Sequence, residues 1–169
     1  NGTVSFANGA SLTGMQAYYD TMPTAGEQVW DDLGGQANGV ATMSTANTLG
    51  YTNTFMGVGV SLAYNKDSGA GAAGSATEGS STSFALTSSD MIDGAELGWA
   101  HADLSGSSSD NGTDEDTVYV KYTAGAITAG AQITKIDKSA ANSDVDRTHF
   151  AVSVAVNENL SISLGQSVV

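Results

Sequence analysis

The side chains able to do chemistry are few and scattered. His101 and His149 are the two imidazoles, and the chain has no cysteine. With no second ligand near either ring in the sequence, neither forms a metal site or a catalytic pair. The serines sit in Gly/Ser-rich stretches without a G-x-S-x-G elbow or a base to activate them, so a serine hydrolase has no machinery here. Asp110, Asn111, Gly112, Asp114, Glu115 and Asp116 bring together oxygen donors, but their spacing misses the EF-hand register. They read as a solvated acidic loop that would at most collect divalent cations. Asn1-Gly2-Thr3 and Asn111-Gly112-Thr113 have the form of glycosylation acceptors, a match short enough to arise by chance. The remaining cluster is electrostatic: Asp20, Glu27, Asp31 and Asp32 supply carboxylates, with no base, inside one long irregular stretch. Neither enzymatic activity nor a cofactor is expected.

Charge and composition narrow the partners. Eighteen acids against five bases give a formal charge of -13 over 169 residues, with only 14% of residues charged. Nucleic acid is therefore not an expected partner, because binding phosphates needs Lys and Arg, and docking of a basic patch to anionic lipid is disfavoured likewise. The lack of cysteine excludes disulfide frameworks and Cys-based zinc sites. No stretch reaches the roughly 18 consecutive apolar residues of a membrane helix. The chain opens at Asn1 without a basic, apolar signal segment and reads as processed or truncated.

The elements that must position these residues follow from alternation. Phe150, Val152, Val154 and Val156 alternate with His149, Ala151, Ser153 and Ala155, and Leu160, Ile162 and Leu164 resume the pattern after Asn157-Glu158-Asn159. The same unit occurs at Val118, Val120 and Tyr122, through Ala124-Gly125-Ala126, to Ile127, Ala129, Ala131 and Ile133. It occurs at Phe84 and Leu86, with Asp93-Gly94 leading to Ala95, Leu97 and Trp99, and at Leu49, Tyr51 and Phe55, with Met56-Gly57 leading to Val58, Val60, Leu62 and Tyr64. The spacing predicts nine strands over 3–12, 48–55, 58–64, 83–92, 95–101, 117–123, 127–136, 148–156 and 160–168. Short turns alternate with long polar connections at 65–82, 102–116 and 137–147, which places every short turn at one end of an antiparallel up-and-down meander. That asymmetry is typical of transmembrane β-barrels.

The two faces differ in kind. One is aliphatic, with Tyr51, Phe55, Tyr64, Phe84, Trp99, Tyr122 and Phe150 near strand ends, as interfacial girdles are. The other reads Gly57, Gly59, Ser61 and Ala63, then Thr128, Gly130, Gln132 and Thr134, then Ser161, Ser163 and Gly165, with Glu96 and Lys121 its clear charges. Small neutral groups suit a water-filled lumen, where Glu96, Tyr119, Lys121, Gln132 and His149 would be lining residues. An ordinary sandwich core is the alternative. Residues 13–47 separate the first strand from the rest, and a connection that long inside a compact domain is usually functional. Within it, 14–22 and 26–33 could each form a short helical turn.

This order of elements, with "NTLGYTNTFMGVGVSLAYNKDSG", "DGAELGWAHADL", "DTVYVKYTAGAITAGAQITKID" and "HFAVSVAVNENLSISLG", resembles the Gram-negative trimeric porins, especially those of alphaproteobacteria. The resemblance covers nearly the whole chain and rests on pattern and phrase. It implies an outer-membrane channel for passive diffusion of small hydrophilic solutes and ions, in contact with outer-membrane lipid and lipopolysaccharide, and assembled as a homotrimer. Residues 13–47 would then be the loop that folds into the barrel, with Asp20, Glu27, Asp31 and Asp32 as pore-constriction acids and a preference for cations.

The chain departs from that family in two ways. The family sets bases on the wall facing the acids, and Lys121 is the one in-facing base the alternation places here. Nine strands would close by pairing the first and last in parallel, whereas single-chain bacterial barrels have even numbers of antiparallel strands, and the terminal Phe usual in the family is missing. The expectation is an all-β, antiparallel, up-and-down transmembrane barrel of which this chain is an interior portion, the whole having about sixteen strands. A secreted or surface-array β protein, such as an adhesin or filament subunit, is the competing function.

Overall fold

The computed structural model describes residues 2–7, 13–30, 39–40, 47–66, 80–105, 111–138 and 144–169. They form one antiparallel sheet of nine strands in sequence order, each paired with its neighbours in the chain. The strands are β1 (Thr3–Ala7), β2 (Thr48–Phe55), β3 (Val58–Lys66), β4 (Ser80–Ser88), β5 (Ala95–Ser105), β6 (Asn111–Ala124), β7 (Ile127–Lys138), β8 (Val145–Asn157) and β9 (Leu160–Val168). β1 pairs only with β2 and β9 only with β8, so among the described residues the sheet is an open meander. Among the described residues, no helix is long and apolar enough to cross a membrane, which says nothing of crossing by strands.

The short turns lie at one end, as the alternation requires. Met56 and Gly57 join β2 to β3 with φ of 50° and 79°. Positive φ at both central residues matches the right-handed twist of a two-residue hairpin, and Gly57 takes that conformation without the steric cost a side chain would bring. β6 and β7 are joined through Gly125 and Ala126, and β8 and β9 through Glu158 and Asn159, where Asn157 Oδ1 accepts from the Asn159 amide at 2.9 Å. Neighbouring turns are stitched together: the Thr123 amide donates to Gly94 O at 2.7 Å, and the Ala155 amide to Ala126 O at 2.9 Å.

The strand ends correct several expectations. β4 spans Ser80–Ser88, not 83–92, so the Asp93-Gly94 turn closes a longer connection in which Asp90 packs beside Gly57 of the adjacent turn. β6 begins at Asn111, β7 runs to Lys138 and β8 begins at Val145, inside stretches expected as loops. The backbone ladder needs no apolar side chains, and here polar pairs carry it: Thr117 and Thr134 hydroxyls meet at 2.9 Å, and Asp116 stands opposite Lys135, itself opposite Asp146. Described β1 ends at Ala7, and 8–12 lie outside the described residues. Of the two helical turns expected, one forms, as a 3-10 turn at Gly14–Tyr18. Residues 26–30 bend without a helix, and 31–33 lie outside the described residues.

The register sorts side chains into two faces. Val118, Ile133 and Thr148 share a cross-strand row with Leu86 and Trp99, and the next apolar row on that face is Leu97, Val120, Ala131 and Phe150. This face is left open: Phe6 is 72% exposed, Ile162 55% and Val120 42%. Toward the long connections it ends at a polar row, His101, Asp116, Lys135 and Asp146, where His101 Nδ1 lies 3.2 Å from Asp116. The buried core lies on the opposite face, under residues 13–30.

Candidate functional site

The site is built where residues 13–30 and 39–40 cross the polar face of the sheet. Its route follows hydrogen bonds to wall side chains and backbone. The Gly14 amide donates to Ser61 Oγ at 2.8 Å and the Met15 amide to Ser83 Oγ at 3.2 Å. Tyr18 OH donates to Leu86 O and meets Thr87 Oγ1 at 2.9 Å, and its ring stands edge-on to Tyr119 at 4.7 Å. Thr21 Oγ1 donates to Gln132 Oε1, and the Ala25 amide to Ser163 Oγ at 2.9 Å. Trp30 then lies over His149, with ring centroids 5.3 Å apart. The crossing thus runs from β3 to β9.

Small wall residues make room for it. A Cβ on Gly130 would come within 2.7 Å of Pro23, and one on Gly165 within 2.2 Å of Val29. Gly98 is covered by the Tyr119 ring in the same way. Gly130 and Gly165 belong to the small-residue face read in the sequence as water-lining, but there the missing side chain seats the segment.

All five residues expected to line the lumen lie on this polar face, in two adjacent rows. Glu96 and Lys121 are opposite each other in one row, and Tyr119, Gln132 and His149 share the next. The rows differ in their access to water. Gln132 and His149 are fully buried, so the expectation that they line an open passage is corrected: the segment covers them. Tyr119 is 6% exposed, beneath Tyr18. Glu96 and Lys121 stay partly open, and Lys121 Nζ lies 2.8 Å from Glu96 Oε1, which also accepts from Tyr119 OH at 2.7 Å.

Glu96 and Lys121 line a cleft of about 480 Å³ toward the short-turn end, together with Asp20, Thr24, Thr123 and Thr128. Asp20 is the expected constriction acid that reaches this cleft. Asp20 is exposed, yet partial desolvation raises its carboxyl from the ordinary aspartate value, against opposing pulls from a Gln28 hydrogen bond and the Lys121 charge. Burial likewise pushes the Tyr18 phenol up. Glu27 is exposed and is not among the residues lining this cleft, while Asp31 and Asp32 lie outside the described residues.

Two charged residues of this face escaped the sequence reading. Arg147, 4% exposed, sits opposite Thr134, which shows that Lys121 is not the one in-facing base, and Glu115 is fully buried near it. The parity that Arg147 shares with His149 and Ala151 is the signal for it, and it lies within β8 and not in the 137–147 connection that the polar composition suggests. Strand geometry also divides the acidic run, with Asp114 and Asp116 exposed and Glu115 turned to the other face. Among the described residues, no group of three or more His, Asp or Glu converges as a metal site would require.

Charged groups of both signs and hydroxyls line an open cleft beside a covered patch, an arrangement that can contact small polar or charged species. No family model, no curated protein and no solved structure matches the chain.

Proposed function

We propose that the chain forms part of the wall of a water-filled transmembrane channel in the outer membrane of a Gram-negative bacterium. Through it small hydrophilic solutes and ions would pass by diffusion, with a preference for cations. One observation carries the reading: a nine-stranded sheet leaves aliphatic and aromatic side chains open across one face while the other holds polar side chains and an in-folded segment. A soluble monomer rarely exposes a contiguous apolar patch beyond a few hundred Å², and hydrocarbon removes that cost. In hydrocarbon the free edges of β1 and β9 need backbone partners, since each unsatisfied N–H or C=O there costs several kcal/mol. Further strands that complete a closed barrel would supply them, and about sixteen strands is the size we infer from the resemblance. Cation preference is supported by Asp20 and Glu96 outnumbering Lys121 around the cleft, since low-dielectric walls focus the field of lining charges.

The test uses the native protein purified in detergent, with single cysteines placed in turn along β8 and β9. Val152 and Leu160 are expected to resist a membrane-impermeant thiol reagent in lipid vesicles, and Ser153 and Ser161 to react. Planar bilayers are expected to show stepwise conductance, and cross-linking a homotrimer. A protein that stays soluble without detergent and conducts nothing would instead be the secreted or surface-array β protein.

A further inference from the structure

We propose that Gln132, seconded by Thr134, is the positioning residue that clamps the in-folded segment to the wall and so sets the width of the passage; the second half of this statement rests on the channel reading above. Gln132 is fully buried, and its carboxamide is engaged at both ends. Oε1 accepts from Thr21 Oγ1, while Nε2 donates to Gly39 O at 2.9 Å and Tyr18 O at 3.2 Å. Thr134 Oγ1 donates to the same Gly39 oxygen at 2.6 Å and meets Thr117 Oγ1 at 2.9 Å. One side chain on β7 therefore ties together two stretches of the segment that are far apart in sequence, the turn after Tyr18 and the backbone at Gly39.

Chemistry makes glutamine the fitting residue. The site presents one hydroxyl donor and two carbonyl acceptors, and a primary amide supplies one acceptor and two donors in a single plane. A carboxylate at 132 would satisfy Thr21 but face two carbonyl oxygens without a proton to give. A leucine would remove the partner that Gln132 gives the Tyr18 carbonyl and the Thr21 hydroxyl and leave Gly39 O with Thr134 alone, and unmet buried polar groups cost more than the bonds themselves are worth. In either case the segment regains its hydrogen bonds by lifting into water. The Asp20 side of the cleft moves with it, because Thr21 is the next residue.

The experiment compares wild type with Gln132→Glu, Gln132→Leu, Thr134→Val and the pair Thr21→Cys with Gln132→Cys, each as the native protein in detergent and in planar bilayers. Hydrogen exchange at the amides of 14–22 is expected to accelerate roughly tenfold in Gln132→Glu and Gln132→Leu, and less in Thr134→Val, because local opening sets exchange in such a segment. Single-channel conductance is expected to rise in the same order. The cysteine pair is expected to regain slow exchange and wild-type conductance when oxidised and lose both when reduced, a response that general misfolding would not give. Unchanged exchange at 14–22 in both Gln132 variants would overturn the clamp. Accelerated exchange with unchanged conductance would overturn its control of the passage. A wild-type protein that never conducts would sink the channel reading and leave the exchange result to judge the clamp alone.

Discussion

Two neighbouring rows of one polar face behave differently. In the row of Glu96 and Lys121, the side chains are partly open, pair with each other and border a cleft. In the next row on that face, Tyr119, Gln132 and His149 are buried: the segment lies over them, and Trp30 is 4% exposed. Strand parity is identical in the two rows. What differs is cover, so in one row charged groups face the open cleft and in the other polar groups hold structure. A buried polar group must be hydrogen-bonded, and Gln132, like Thr134 in the row beyond it, meets that requirement through backbone oxygens of the segment itself.

The sharpest way to break the contrast is to truncate the sealed row's cover. Trp30→Ala removes a buried ring packed on Tyr19 at 5.6 Å and His149 at 5.3 Å. It is expected to cost about 3–5 kcal/mol, typical of a buried aromatic, read as a lower denaturation midpoint in detergent. Glu96→Gln, in the open row, is expected to leave that midpoint nearly unchanged. If the two variants lose equal stability, the rows are not distinct.

Seating gives the next effect. Gly130→Leu must displace Pro23 and Met22, and overpacking of this kind costs roughly 1–3 kcal/mol. Gly59→Ala on the same face, where the nearest atom would be 3.6 Å away, is expected to be silent in the same melt. Equal sensitivity at the two positions would show that close approach at Gly130 does not matter.

Charge in the open row should change selectivity and little else. Lys121→Met is expected to raise the cation-to-anion permeability ratio about twofold to threefold, and Asp20→Asn to lower it by a similar factor, as expected for lining charges in a focused field. Reversal potentials across a salt gradient measure both. Glu27→Gln, outside the cleft, should shift the ratio less than Asp20→Asn, and the reverse order would move the selective charges elsewhere.

The smallest effect is on pH. Partial desolvation raises the Asp20 carboxyl from its ordinary value, so its ionised form is disfavoured on folding. As pH falls through that raised value the cleft loses a negative charge while the fold loses no support from this group. The cation preference is therefore expected to begin falling at a higher pH than an unperturbed aspartate would give. In Asp20→Asn that component of the titration should vanish.

Much of the sheet was readable because alternation is local. Val152 and Ser153 must point to opposite faces once the backbone is extended, and a slip of one residue would reverse every such pair. The expected boundaries of β2, 48–55, and β9, 160–168, coincide with the observed ones. Where the reading stopped short, at Arg147, Glu115 and the start of β6, apolar alternation had ended although the hydrogen-bonded ladder had not. Periodicity of hydrophobic residues reports burial or lipid contact, and these strand ends have charged and hydroxyl groups instead.

The site was readable only as a list of candidates on one face. The meander, the end at which the short turns lie and the parity of Glu96, Tyr119, Lys121, Gln132 and His149 are legible along the chain, because each follows from sequence neighbours or from one tight turn. Tertiary structure decided which of those five meet water. Tyr18, Thr21 and Trp30 reach Tyr119, Gln132 and His149 across more than a hundred residues of sequence, and no local pattern encodes a contact whose energy comes from fitting one segment against six separate strands.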